Sequence, residues 1–276
     1  MEGRIELVAL PPKEEWTRPL THQALRAHDQ AHRVQSPLNR LSHQQQESKE
    51  ATSEAIIHRD VFGEGKFKLV YRGQYIAGPR AGQACVAKRF KPGQGSFQQQ
   101  LNQDLHVNDM AKYIIDAWNA ARIIGMPVHF LVPELMVDAG GQGRHRLVEP
   151  LIDGKYRKHN NNTGWVNRSQ DPWNEVMQAL SHFSYHYCRG SRLLCDIQGG
   201  VGHYSYVITD PEINSATKHQ FGPTDLGQEG ILKFFATHQC NGFCLPDWMW
   251  PAEVIRCPAP SWVAPGQPRW RAPHRR

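Results

Sequence analysis

The sequence predicts an α+β fold: an antiparallel sheet, followed by a lobe of helices and short strands tied together by a metal cluster. Three observations carry this expectation. Short apolar runs punctuated by glycine begin near Ala55. Two stretches with helical apolar spacing follow, Phe97–Ile124 and the segment after Asp171-Pro172. The span Leu193–Cys244 then holds carboxylates, a glycine-bracketed loop and a His-x-Cys-x3-Cys cluster.

With 276 residues, 39% of them hydrophobic, the chain can bury one substantial core divided into two lobes. No apolar run approaches the roughly 18 to 20 residues that span a bilayer. MEGRIELVALPPKEEW also lacks a secretory apolar core, so we expect no membrane span and a cytoplasmic protein. The 6 cysteines are too few and too unevenly placed for a disulfide scaffold, which makes them thiols or metal ligands. The net charge of +6 comes largely from arginines in residues 256–276, a Pro-rich stretch without an acid. No basic face interleaved with aromatics appears elsewhere, and no nucleic-acid partner is expected.

In chain order, residues 1–54 are rich in Gln, His and Ser and read as a disordered or partly helical leader. Residues 55–250 form the expected folded domain, an N-lobe over 55–148 and a C-lobe over 149–250, and 251–276 form a Pro/Arg-rich tail. Val61-Phe62, Leu69-Val70-Tyr71 and Cys85–Phe90 read as strands, with turns at Gly78-Pro79 and Gly82. Two decoys lie here. His58-Arg59-Asp60 imitates the catalytic tripeptide of conventional protein kinases but has Gly65 where that motif needs Asn, and Gly63-Glu64-Gly65 starts like a phosphate loop but lacks the third glycine. Lys88 shares a strand face with Val86, where an ammonium needs an anionic partner unless it reaches solvent from an edge strand.

Phe97–Ile124 reads as one long helix, or two broken near Val107-Asn108. HFLVPELMV and HRLVEPLI read as strands, with Glu149 closing the second and residues 149–154 linking the lobes. Asp171-Pro172 caps a helix that carries His182 and His186 four apart, a spacing two ligands of one metal can use but an incidental one in a chain with 15 histidines. Arg192–Gln198 reads as a strand with Asp196 and Gln198 on one face at its end; with Asp210 they suit a hard cation such as magnesium, while a strand-end Asp and an Asx-Pro turn are the commoner explanation for either aspartate alone. Phe221–Gly227 fits either an anion loop at the N-terminus of the helix Gln228–Thr237 or plain capping by Asp225. His238, Cys240 and Cys244 are three soft ligands within seven residues, favouring a structural zinc over free thiols.

These parts, in this order, resemble the alpha-kinase family of atypical Ser/Thr protein kinases. The resemblance spans about Val61 to Leu245. It rests on Val86-Ala-Lys88-Arg, Val148-Glu149, Gly154-Lys-Tyr, Asn160-Asn-Asn-Thr-Gly164, Leu180-Ser-His182-Phe-Ser-Tyr, Asp196-Ile-Gln198-Gly, Thr209-Asp210-Pro211, Phe221-Gly222 through Leu226-Gly227, and His238 through Cys244. It implies a two-lobed protein-kinase-like fold with an antiparallel N-lobe sheet and a zinc-stabilised C-lobe, and an enzyme using ATP and Mg2+ to phosphorylate a protein substrate.

By position, the resemblance makes Lys88 the lysine on the nucleotide phosphates, Glu149 the hinge residue beside adenine, and Gly222 to Gly227 the loop near nucleotide and peptide. It makes Asp196 the catalytic aspartate, Gln198 and Asp210 the Mg2+ ligands, and His182 the fourth zinc ligand beside His238, Cys240 and Cys244. Two departures stand out. GGVGHYSYVITDP lengthens the path from Gln198 to Asp210, so Asp210 would need a bulged excursion, and Asp225 replaces the common Asn, adding charge near the phosphates unless it turns away. An active kinase is the leading reading, a nucleotide-binding pseudokinase the second. A zinc hydrolase is the weakest, since four protein ligands close the metal to water.

Overall fold

The computed structural model describes residues 4–9, 52–93, 95–139, 144–169, 171–202 and 205–254. Two compact units divide the chain: Met1–Gln94 with Pro133–Leu151, and Gly95–Val132 with Ile152–Arg276.

The first unit is a closed barrel in the order β1 (Arg4–Ala9), β2 (Glu54–Glu64), β3 (Lys68–Ala77), β4 (Ala84–Phe90), β7 (His145–Pro150) and β6 (Glu134–Asp138), with every pairing antiparallel. Ala55, Ile57, Tyr71, Tyr75, Cys85, Ala87, Met136 and Val148 fill its interior. Strand alternation therefore turns Val86 and Lys88 to the outer face. β1 is a strand within the segment expected to be a disordered or partly helical leader. It pairs with β2 through Ile5–Ile57 and Leu7–Ala55, and with β6 through Leu7–Asp138 and Ala9–Met136. Without it two edges would be left open, a long-range demand that local composition does not reveal. Leader residues 1–3 and 10–51 and tail residues 255–276 lie outside the described residues. The decoys resolve as strand and turn. His58, Arg59 and Asp60 are exposed in the middle of β2, and Gly65 turns the chain into β3 by donating to the Lys68 carbonyl.

The second unit is built on α1 (Phe97–Ala121) and α2 (Pro172–Tyr187). α1 is one unbroken helix, started by Ser96 accepting from the Gln99 amide and ended by Arg122 in the left-handed region. Its Val107, Met110, Ile114 and Trp118 join α2 residues Trp173, Val176, Met177 and Leu180 in the main core. Two small sheets complete the unit. One runs β5 (Val128–Phe130), β11 (Tyr206–Thr209), β10 (Gln198–Val201), β8 (Arg157–Lys158), and the other pairs β12 (Glu212–Ser215) with β9 (Arg192–Cys195). α3 (Gln228–Thr237) follows, burying Ile231, Phe234 and Phe235.

HFLVPELMV is therefore not a single strand. Its first part is β5, parallel to β11, and its second is barrel strand β6. Pro133 separates them; it lacks the amide a continuous ladder requires. No helix among the described residues is long and apolar enough to cross a membrane.

Candidate active site and metal centre

On the barrel, Val86 of β4 pairs with Glu149 of β7, and Lys88 with Leu147. Lys88 and Glu149 are thus diagonal neighbours on one face, and their charges meet at 2.9 Å. Both are buried, Lys88 to 7% exposure and Glu149 to 2%. The edge-strand alternative for Lys88 is excluded, since β4 is paired on both sides. Glu149 lies within β7, ahead of Pro150, and the chain passes into the second unit after Leu151.

In the second unit the expected strand Arg192–Gln198 is broken. β9 ends at Cys195, and Asp196 stands in the left-handed region at φ 55°. Gln198 begins β10 in a different sheet. The strand-alternation argument for one shared face fails here, because a residue at positive φ interrupts the pleat. The segment paired with it does the same, since Asp210 at φ 52° separates β11 from β12. The two pairs, β9 with β12 and β10 with β11, therefore change sheets side by side, each through an aspartate.

The lengthened path between Gln198 and Asp210 is a hairpin. Gln198 pairs with Thr209 and Gly199 with Ile208, which returns Asp210 beside Gln198 without a bulge. A Cβ on Gly199 would fall 1.9 Å from the Val207 carbonyl oxygen, so glycine is required for this close pairing. The Gln198 amide nitrogen contacts the Asp210 carbonyl at 3.4 Å. That contact leaves the amide oxygen as the acceptor end available to a cation.

Asp196 accepts an ion pair from Lys158 of β8 at 2.7 Å. Burial, reinforced by the Asp210 charge, raises its carboxyl above the ordinary range, and Lys158 opposes that rise. Sequence reasoning missed Lys158, because nothing in KYRKHNNN distinguishes it from its basic neighbours. Only the pairing of Lys158 with Gln198 brings it to Asp196. Two buried neighbours hold the crossover in place. The His159 amide donates to the Ile197 carbonyl at 2.8 Å, and the Asn160 side-chain oxygen accepts from the Ile197 amide at 3.0 Å. Asn160 in turn donates to Ser181 of α2 at 2.9 Å.

The His159 ring is bound at both nitrogens, by Asn174 at Nδ1 and by the Tyr206 hydroxyl at Nε2. Burial lowers its pKa, against the opposing effects of Asn174 and Asp171. A group whose folded pKa is depressed takes up a proton on unfolding. Stability therefore falls as pH drops through the unfolded histidine value of about 6.5. We expect wild type to lose more unfolding free energy than His159→Gln between pH 7.5 and 5.5 in urea titrations; equal losses would remove His159 from this account.

The loop Phe221–Gly227 is organised by Asp225, which is fully buried. Its carboxylate accepts from the amides of Ser215 at 2.9 Å, Phe221 at 3.2 Å and Gly227 at 2.9 Å, and from the Ser215 hydroxyl at 2.6 Å. Asp225 thus spends its charge on the backbone and is not the N-cap of α3, which is Gly227 at φ 72°. A Cβ there would meet the Lys218 backbone at 3.0 Å, and Gly222 at φ 93° closes the other end of the loop.

His182, His238, Cys240 and Cys244 bring one ligand atom each to within 4.8 Å of one another. His238 Nε2 lies 3.2 Å from His182 Nδ1, Cys240 Sγ 3.7 Å from His182 Nδ1, and Cys244 Sγ 3.7 Å from His238 Nε2. Bonds of about 2.0 to 2.3 Å in a tetrahedron separate ligands by roughly 3.3 to 3.8 Å, so the set fits a four-coordinate ion. The other nitrogen of His182 donates to the Met249 carbonyl at 3.0 Å, fixing the ring with Nδ1 inward. The Cys244 thiol and both imidazoles hold Cys240 well below the usual thiol range. His186 is not among these ligands; it stacks on Trp248 and lines a separate cavity of about 750 Å³.

Comparison with known proteins supplies the context for this geometry. Residues 63–244, more than half of the chain, match the alpha-kinase family model. Alpha-protein kinase 1 of Dictyostelium discoideum is 36% identical over 184 residues, 66% of this chain and 13% of that protein. The chain thus spans a small fraction of that relative. Among solved structures, an alpha kinase from Entamoeba histolytica superposes with a TM-score of 0.68 at 22% identity, covering 94% of this chain and 97% of that one. The alpha-kinase domain of myosin heavy chain kinase A, solved with ADP, gives 0.58 at 25% identity over 70% of this chain and 87% of that one. The chain belongs to the alpha-kinase family.

Proposed function

We propose that the protein is an ATP-dependent protein serine/threonine kinase of the alpha-kinase type. The observation that carries this reading is the paired crossover, with Asp196 ion-paired to Lys158 and the hairpin returning Asp210 beside Gln198. In the barrel, Lys88 would hold the nucleotide phosphates, oriented by its ion pair with Glu149. In the second unit, Asp196 would orient the substrate hydroxyl and accept its proton, with Lys158 keeping the carboxylate ionised and in place. Gln198 and Asp210 supply oxygen ligands suited to Mg2+, which when bound neutralises charge on the phosphates. Gly222 and Gly227 frame the loop that would face nucleotide and peptide.

Zinc is the metal best suited to His182, His238, Cys240 and Cys244. Two imidazoles and two thiolates match its preferred ligands, and four protein ligands leave no place for a reactive water, so its role would be structural. The ADP-bound structure of myosin heavy chain kinase A supports nucleotide binding by this relative of it. The substrate is a protein, and a nucleotide-dependent enzyme with a thiolate cluster suits the cytoplasm. Asp225 and the longer hairpin, which favoured a pseudokinase, no longer support that alternative, since the first is neutralised by backbone donors and the second leaves Asp210 in register.

The test is Mg2+-dependent transfer of radiolabelled γ-phosphate from ATP to serine or threonine of a generic basic protein. Lys158→Met is expected to lower kcat roughly 10²-fold, with the KM for ATP little changed, because Lys158 acts on Asp196 and not on the nucleotide. No transfer by wild type under any metal condition would overturn the kinase reading.

A further inference from the structure

The barrel interior is apolar at its middle, but one end is not. Tyr71, Arg89, Asp138, Arg144 and Arg146 gather there. Arg146 is only 2% exposed, and its guanidinium lies 4.9 Å from the centre of the Tyr71 ring. Arg89 lies over the same ring at 5.8 Å. In the β4–β7 register Arg89 and Arg146 are the next residues after the Lys88–Leu147 pair, so two like charges face each other across the strands.

A guanidinium cannot shed its proton in a protein, so its burial requires a counter-anion. Among the described residues Asp138 meets two of these arginines. Arg144 Nε approaches it at 3.2 Å and Arg146 Nε at 3.7 Å, the latter beyond hydrogen-bond distance. Nε and Nη1 of Arg146 and Nε of Arg89 are buried without a hydrogen-bond partner, as is one Asp138 oxygen. Among the described residues Arg144 and Arg146 thus share one carboxylate, and Arg146, the more deeply buried of the two, keeps two N–H donors without a hydrogen-bond partner. Burial disfavours the charged form of Arg146, the Asp138 charge opposes this, and the neighbouring Arg89 charge adds to the burden.

We propose that this end of the barrel is a binding site for a phosphate-class oxyanion. Such a group carries about −1.5 to −2 charge at neutral pH and three or more acceptor oxygens, which answers both the surplus positive charge and the unpaired N–H donors. Arg144, whose side chain is 51% exposed, provides the approach from solvent. The chemistry is shared by free phosphate and by a phosphorylated side chain of a protein segment. The site lies wholly within the barrel unit and does not depend on the kinase reading.

The experiment follows the heat stability of the full chain, in phosphate-free buffer without nucleotide, against inorganic phosphate and against a phosphoserine peptide with its unphosphorylated control. In wild type, phosphate or the phosphopeptide should raise the melting temperature saturably. Arg146→Met and Arg89→Gln should weaken the half-saturating concentration at least tenfold, while Asp138→Asn, which removes the competing carboxylate, should tighten it. The tighter of the two probes identifies the source. Should Arg146→Met fail to fold, Arg89→Gln and Asp138→Asn still decide the matter. A response that does not saturate, one that Arg89→Gln leaves unchanged, or weaker binding by Asp138→Asn would overturn the proposal.

Discussion

Asp196→Ala is expected to lower kcat for phosphoryl transfer by about 10³-fold or more, the scale set by removing a positioned proton acceptor. Several features point to this residue. It occupies a left-handed backbone position at a sheet crossover, its side chain is 17% exposed, and it is paired with a lysine from a neighbouring strand. A surface aspartate needs none of this support. Because the proposed role is proton acceptance from the hydroxyl, Asp196→Asn should lose nearly as much as Asp196→Ala while retaining the KM for ATP. Lys88→Met should differ in kind. It would remove the proposed phosphate contacts and leave Glu149 buried beside an apolar side chain, so it should raise the KM for ATP as well as lower kcat. The measurement is phosphate incorporation at saturating and limiting ATP. Wild-type rates from both Asp196 variants would remove Asp196 from the mechanism and, with it, the main support for catalysis.

What the sequence made legible was local. His238, Cys240 and Cys244 declare themselves by spacing at a helix end, whereas Lys88, a charge where strand alternation expects an apolar side chain, is explained as well by an edge strand until the family resemblance is added. Pro133 was also a local signal, able to mark the break between β5 and β6. The rest depends on partners distant in sequence or on backbone angles that residue type does not encode. Lys158 matters only because β8 pairs with β10. Asp196 and Gln198 look like one strand face until a positive φ separates them into two sheets. β1 exists because a barrel must close, although it sits in the most polar part of the chain. Asp225 read as a capping residue or a misplaced charge, and its four donors are two from its own loop, Phe221 and Gly227, and two from Ser215 at the end of β12, which only the fold brings alongside.

Zinc removal is expected to have the largest effect on stability. A structural zinc site contributes on the order of 10 kcal/mol at neutral pH, comparable to the roughly 5 to 15 kcal/mol by which a typical domain is stable. The surroundings here magnify the loss. The His182 ring packs against Phe235 at 5.2 Å, Trp248 at 5.2 Å and Trp250 at 5.4 Å, so the ligands are also part of the aromatic core. Without an ion, the inward-facing ligand atoms of His182, His238, Cys240 and Cys244 remain as buried polar groups that face one another. We therefore expect a single zinc ion per chain by elemental analysis, and loss of near-ultraviolet dichroism and cooperative melting on chelation. Cys240→Ser should do the same without chelator. His186→Ala is the discriminating control: it lies one helical turn from His182 but outside the cluster, so it should keep its zinc and its fold. A metal-free preparation that melts cooperatively at the wild-type temperature would show that the cluster holds together without zinc.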